Sequence, residues 1–113
     1  MGLLSRFSSL CRKVNRIERT VERLSKAAAR EPIWVTHYGA YDIHPRHLVY
    51  WICVKTAAER NRLRADEALG ANLRRVLIDC DYPLEGRDEV HIGFESQETV
   101  DRESEGNWYY HWK

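Results

Sequence analysis

The amino-acid sequence predicts an α+β fold: a long amphipathic N-terminal helix, then a mainly antiparallel four-stranded sheet with one or two packed helices. Three observations predict it. Apolar residues recur at alternating four- and three-residue spacing from residue 3 to residue 28. Four later stretches carry the β-branched and aromatic residues that strands prefer. A capped helical pattern separates the second of these from the third. At 113 residues the chain has room for one core. The Glu31-Pro32 junction divides it into 1–31, the helix, and 32–113, the α+β domain.

The helix comes first. Its apolar positions are Leu3, Phe7, Leu10, Val14, Ile17, Val21, Leu24 and Ala28, an unbroken heptad repeat. With Phe7, Val14, Val21 and Ala28 at a and the others at d, the pattern suits a parallel two-stranded coiled coil. Leu3, Phe7, Leu10, Val14, Ile17, Val21 and Leu24 are therefore candidate oligomerisation residues for a homodimer. The same stripe suits a helix docked on its own domain, because so short a run does not separate a 3.5 from a 3.6 period. Pro32 ends the helix by excluding a helical conformation at Glu31.

Residues 33–38, Ile-Trp-Val-Thr-His-Tyr, read as the first strand, and Pro45 sets a turn after it. Residues 47–55 are the most apolar run and predict a central strand covered on both faces. Thr56 with Glu59 forms a capping box. Beyond Asp66, the residues Leu69, Leu73, Val76, Leu77 and Cys80 mark one helical face, closed by Asp81-Tyr82-Pro83. Val90, Ile92 and Phe94 alternate in a third strand, residues 96–103 read as a loop or one to two helical turns, and residues 108–112 read as the last strand.

Composition narrows the function. A charged fraction of 31% and a hydrophobic fraction of 43% belong to an ordinary globular protein. No run reaches the roughly 18 apolar residues of a membrane span, and Arg6, Arg12 and Lys13 interrupt any signal-peptide core. Cys11, Cys53 and Cys80, far apart and odd in number, fit a reducing compartment, so a cytoplasmic location is expected. The net charge of +1 hides an asymmetry: 1–31 holds eight basic and three acidic residues, while 86–105 holds seven acidic and two basic ones. Nucleic acid is not an expected partner, since Glu and Ser interrupt the basic segment and Phe7 is its one aromatic residue.

No glycine-rich phosphate loop, paired-cysteine motif or calcium loop is present. Five histidines (His37, His44, His47, His91 and His111) lie in or beside predicted strands. His44 and His47 have a spacing seen at metal sites, but Pro45 keeps them off a regular helix, and neither a metal nor a cofactor is expected. His91 and Glu95, offset by four, share a strand face. With His37 they make the alternative reading of a small hydrolase or nuclease, although no nucleophile or oxyanion site accompanies them. The acidic run points instead to a docking surface for a basic protein. Glu95, Glu98, Asp101 and Glu103, with Trp108 as an aromatic anchor, are its candidate contacts.

Residues 43–51, Ile-His-Pro-Arg-His-Leu-Val-Tyr-Trp, and 94–103, Phe-Glu-Ser-Gln-Glu-Thr-Val-Asp-Arg-Glu, followed by Gly106-Asn107-Trp108, resemble segments of small uncharacterised bacterial proteins. The likeness covers 33–113, and some of those proteins resemble immunity proteins of toxin systems. It implies a toxin as protein partner, for which the acidic run expects a basic domain, and assigns no functional residue. The expectation is thus a non-enzymatic protein-binding module, with the hydrolase and a coiled-coil adaptor as alternatives.

Overall fold

The heptad stripe folds onto its own chain. α1 runs over Leu3–Ala28, and Val14, Ile17 and Val21 have no exposed surface at all. They lie in one cluster with Tyr50, Ile52, Leu73 and Leu77, and Leu10, Leu24 and Ala28 flank it. The intramolecular reading of the repeat is what the structure displays. Among the other candidate oligomerisation residues, Phe7 stacks on Tyr41 at 6.4 Å, and the side chain of Leu3 lies outside the described residues. The computed structural model describes the backbone over residues 3–112 and the side chains of 6–108, 111 and 112.

The remaining elements are β1 (Trp34–Tyr38), a 3-10 turn (Pro45–His47), β2 (Val49–Val54), α2 (Ala57–Arg64), α3 (Glu67–Asp79), α4 (Leu84–Arg87), β3 (His91–Ser96), α5 (Gln97–Ser104) and α6 (Trp108–His111). α1 packs against α3, β1 and β2 on one face of the sheet.

The sheet corrects the expected one in two respects. It has three strands in the order β1-β2-β3, not four, and it is mixed: β1 runs antiparallel to β2, whereas β3 runs parallel to β2. The parallel pairing follows from the connection. Residues 55–90 hold three helices, and a helical crossover returns the chain in the same direction, whereas antiparallel neighbours need no crossover, as the loop over 39–48 shows for β1 and β2. The segment taken for a fourth strand is α6. Its aromatic residues suit a strand by composition, but that preference reflects packing on a pleated surface rather than a demand of the backbone. Here Trp108, His111 and Trp112, at i, i+3 and i+4, share a helical face that lies on the sheet.

Two carboxylates fix α1 to the rest. The Thr56 hydroxyl accepts from the Glu59 amide at 3.2 Å, one half of the predicted capping box. The other half comes from a distance: Glu31 accepts from the Lys55 and Thr56 amides, both at 2.8 Å, and from the Thr56 hydroxyl at 3.0 Å. Glu59 is thereby free to take a bidentate pair from Arg62, at 2.6 and 2.9 Å, and the Arg30 amide also donates to it. Arg62 donates onward to the Ala28 carbonyl at 2.7 Å, capping the end of α1. The Arg62 bonds outweigh burial and hold the Glu59 carboxyl at about 2. Deeper in, the Tyr50 hydroxyl donates to the Val14 carbonyl at 2.6 Å, and the Tyr82 hydroxyl donates to the Pro45 carbonyl, also at 2.6 Å.

Candidate functional site

Strand alternation gathers aromatic rings on the sheet face opposite α1. β1 contributes Trp34 and Tyr38, and β2 contributes Trp51. β3 contributes His91, Gly93 and Glu95, with Trp51 in register with Gly93. α6 adds Trp108 and Trp112. The chain has four tryptophans, and all four are on this face in one connected strip. Trp34 meets Trp108 edge-on at 5.3 Å, Trp108 meets Trp112 at 5.0 Å, Trp112 stacks on Trp51 at 5.3 Å, and Trp51 meets His91 at 4.8 Å. Tyr38 lies 6.0 Å from Trp112 and accepts from the Trp51 indole at 3.2 Å.

Gly93 makes the arrangement possible. A Cβ there would stand 2.8 Å from the Trp51 ring and 2.5 Å from His91 Nε2, too close for either ring to keep its place. Pairs of this kind contribute about 0.5–1.5 kcal/mol each beyond their buried area. The strip is only partly covered, since Trp34 and Tyr38 are each 41% exposed. Burial, reinforced by the nearby Arg74 charge, pushes the His91 imidazole below its ordinary value and favours its neutral form against Trp51.

A polar cluster borders the strip. Glu95 is 8% exposed. One oxygen accepts from Arg60 and from the Ser96 amide, both at 2.9 Å. The other lies 2.7 Å from His111 Nε2, and His111 Nδ1 lies 3.1 Å from the Ser104 hydroxyl. Arg60 also donates to the Thr99 hydroxyl at 2.6 Å. Burial alone would raise the Glu95 carboxyl; the bonds from His111, the Ser96 amide and Arg60 outweigh it and hold the group below its ordinary value.

Ser104, His111 and Glu95 thus form a hydroxyl–imidazole–carboxylate chain, the connectivity of an activated serine. Its surroundings do not complete such a site. Ser104 ends α5, where the helix dipole is negative and opposes an oxyanion. The adjacent amides of Glu105, Gly106 and Asn107 already donate to the Val100 and Ser104 carbonyls. What the chain does achieve is to tie α6 to β3.

The candidate residues from the sequence are distributed as follows. His37, His91 and Glu95 do not converge. His37 is in register with Tyr50, on the α1 face, and lies 2.7 Å from Glu18. His91 lies on the opposite face against Trp51, and Glu95 partners His111 instead. His44 and His47 stand with ring centres 6.1 Å apart. Among the described residues, no three His, Cys, Asp or Glu side chains group to hold a metal. Cys53 is buried, which pushes its thiol up to about 12 and keeps it protonated.

Of the acidic contacts, Glu95 is turned inward, while Glu98, Asp101 and Glu103 are exposed on α5. Glu98 accepts from the Ala57 amide at 2.7 Å and Asp101 from Gln97 at 2.8 Å. Trp108 is half-buried and donates to Gln97 at 2.7 Å, which joins the aromatic strip to α5.

The predicted site residues did not include Trp34, Tyr38, Trp51, Trp112, Arg60 or His111, although the sequence marked His111 as one of five histidines and Trp112 as part of the terminal aromatic run. The signals available were the alternation of Trp34 with Tyr38 and the helical spacing of Trp108, His111 and Trp112. Among the described residues, no helix is long and apolar enough to cross a membrane. Comparison with known proteins gives no matching family model, no similar curated protein and no similar solved structure.

Proposed function

We propose that this chain is a non-enzymatic, cytoplasmic protein-binding module whose contact face is the tryptophan strip with the adjoining acidic helix α5. One observation carries the reading: every tryptophan lies on one sheet face, with Trp34 and Tyr38 at 41% exposure where a partner reaches them. Half-exposed rings held rigid by their neighbours lose little entropy on binding, and Trp and Tyr dominate interface hot spots. Glu98, Asp101 and Glu103, exposed on α5, supply a negative rim that speeds encounter with a basic protein. A toxin domain, the partner that the resemblance to immunity proteins implies, fits this chemistry where its surface is basic.

The test measures affinity by calorimetry and association rate by stopped-flow fluorescence for a basic protein encoded beside the chain. Trp34→Ala with Tyr38→Ala should weaken binding at least tenfold, and Glu98→Lys with Asp101→Lys should lower the association rate. Unchanged affinity and rate in both double variants would remove this face from consideration.

A second reading, a small serine hydrolase, is favoured by one observation, the Ser104–His111–Glu95 chain. A fluorophosphonate probe distinguishes the two. Labelling of Ser104 that His111→Ala abolishes favours the hydrolase, and an unlabelled Ser104 favours the binding module.

A further inference from the structure

Docking the apolar stripe of α1 leaves its opposite side to solvent, and the middle of that side is a row of positive charge. Arg12, Arg16, Arg19 and Arg23 are all exposed. Their spacing of four, three and four residues keeps them within an arc of about 60° along a row about 16 Å long. The buried Val14, Ile17 and Val21 lie on the far side of the same helix. Among the described residues, none of the four arginines is ion-paired, whereas the neighbouring charges are spent. Lys13 pairs with Asp81 at 3.5 Å, Glu18 with His37 at 2.7 Å, and Glu22 with Lys26 at 2.8 Å.

Glu18 and Glu22, whose interruption of the basic segment spoke against nucleic acid in the sequence, lie outside this arc and are paired with His37 and Lys26. Against that expectation, we infer that this arginine row binds the phosphate backbone of double-stranded DNA. Four arguments select that partner. Guanidinium groups bind phosphate oxygens in a bidentate fork, a geometry that lysine does not offer. The apolar face that an amphipathic helix needs for entering a lipid surface is already in the core, so a membrane is offered charge alone. No ring is free on this side to stack unpaired bases, because Phe7, the aromatic residue of α1, stacks on Tyr41. A helix held along its back presents a ridge that fits the wide major groove of B-form DNA but not the deep, narrow one of duplex RNA. The inference extends to the phosphates alone, whose contacts position a protein on the duplex without reading its sequence.

The inference does not rest on the tryptophan face, and its test keeps the two apart. The full chain is titrated against a fluorescent 20-base-pair DNA duplex at several salt concentrations. The expected result is a log–log salt slope of about −3 to −4, since each phosphate neutralised contributes about −0.9. The triple variant Arg16→Glu, Arg19→Glu, Arg23→Glu should lose binding at least a hundredfold while keeping the wild-type helical circular dichroism. Should that variant misfold, Arg16→Gln with Arg19→Gln serves in its place, with an expected slope reduced by about two. Trp34→Ala with Tyr38→Ala should bind the duplex as the wild type does.

Three results would overturn the inference: no binding at 50 mM salt, binding that survives the arginine changes in a folded protein, or binding to the single strand, an RNA duplex or phosphatidylserine vesicles as tight as to the DNA duplex.

Discussion

Trp112 stacks on Trp51 with ring centres 5.3 Å apart and planes 13° from parallel, so the C-terminal helix is held to the sheet by an indole pair. Trp112→Ala should release α6 at a cost of about 2 kcal/mol, less than a fully buried tryptophan because the ring is half-covered. Near-UV circular dichroism should fall and tryptophan emission shift to the red. Gly93→Ala should give the same spectral change with Trp112 in place, because the added methyl displaces Trp51. Unaltered spectra in both variants would refute the stacked strip.

Ile17 has no exposed surface and packs within its own chain. Ile17→Ala should therefore destabilise the fold by about 2–4 kcal/mol. The melting temperature of the wild-type chain should stay constant over a hundredfold range of protein concentration. A melting temperature that rises with concentration would mean that association, not internal packing, stabilises the helix.

Glu31 provides acceptors for two amides and a hydroxyl at the start of α2. Glu31→Ala should cost about 1–3 kcal/mol, the range for leaving such donors without a protein partner. Hydrogen exchange at the Lys55 and Thr56 amides should accelerate more than at amides within β2. Equal acceleration throughout would show only global destabilisation.

Glu59 gives the fold an acid-side dependence. Its carboxyl is held at about 2 against an ordinary value of 4.5, so between those values the unfolded chain binds the extra proton. Its stabilising contribution is full above pH 4.5 and is lost as pH falls through 2. Denaturant titrations of wild type and Glu59→Gln should show the largest gap at neutral pH and converge towards pH 2. A gap constant across that range would mean that the Arg62 pair contributes nothing to it.

Much of the fold was legible in the residues. The heptad spacing located α1, the alternation of Val90, Ile92 and Phe94 located β3, and the Thr56 cap located α2, its hydroxyl accepting from the Glu59 amide. These are local signals, set by the period of the backbone and by orphan amides within one turn. The Trp108–Trp112 segment misled because aromatic composition stands for a surface to pack on, and a short helix offers one as readily as a strand. The candidate site was less legible still, since its rings come from β1, β2 and α6 and meet only through the register of the sheet.

By itself the sequence determined which residues seek the interior, where α1, α2 and α3 run and where the charge of each sign is concentrated, because these depend on neighbours a few positions away. Tertiary structure alone decided three further matters. It covered the stripe of α1 with the chain's own sheet and α3, set β3 parallel to β2, and brought Glu95 to His111 rather than to His37. Each depends on contacts between distant residues, where burial and strand register select one partner among many that local spacing allows equally.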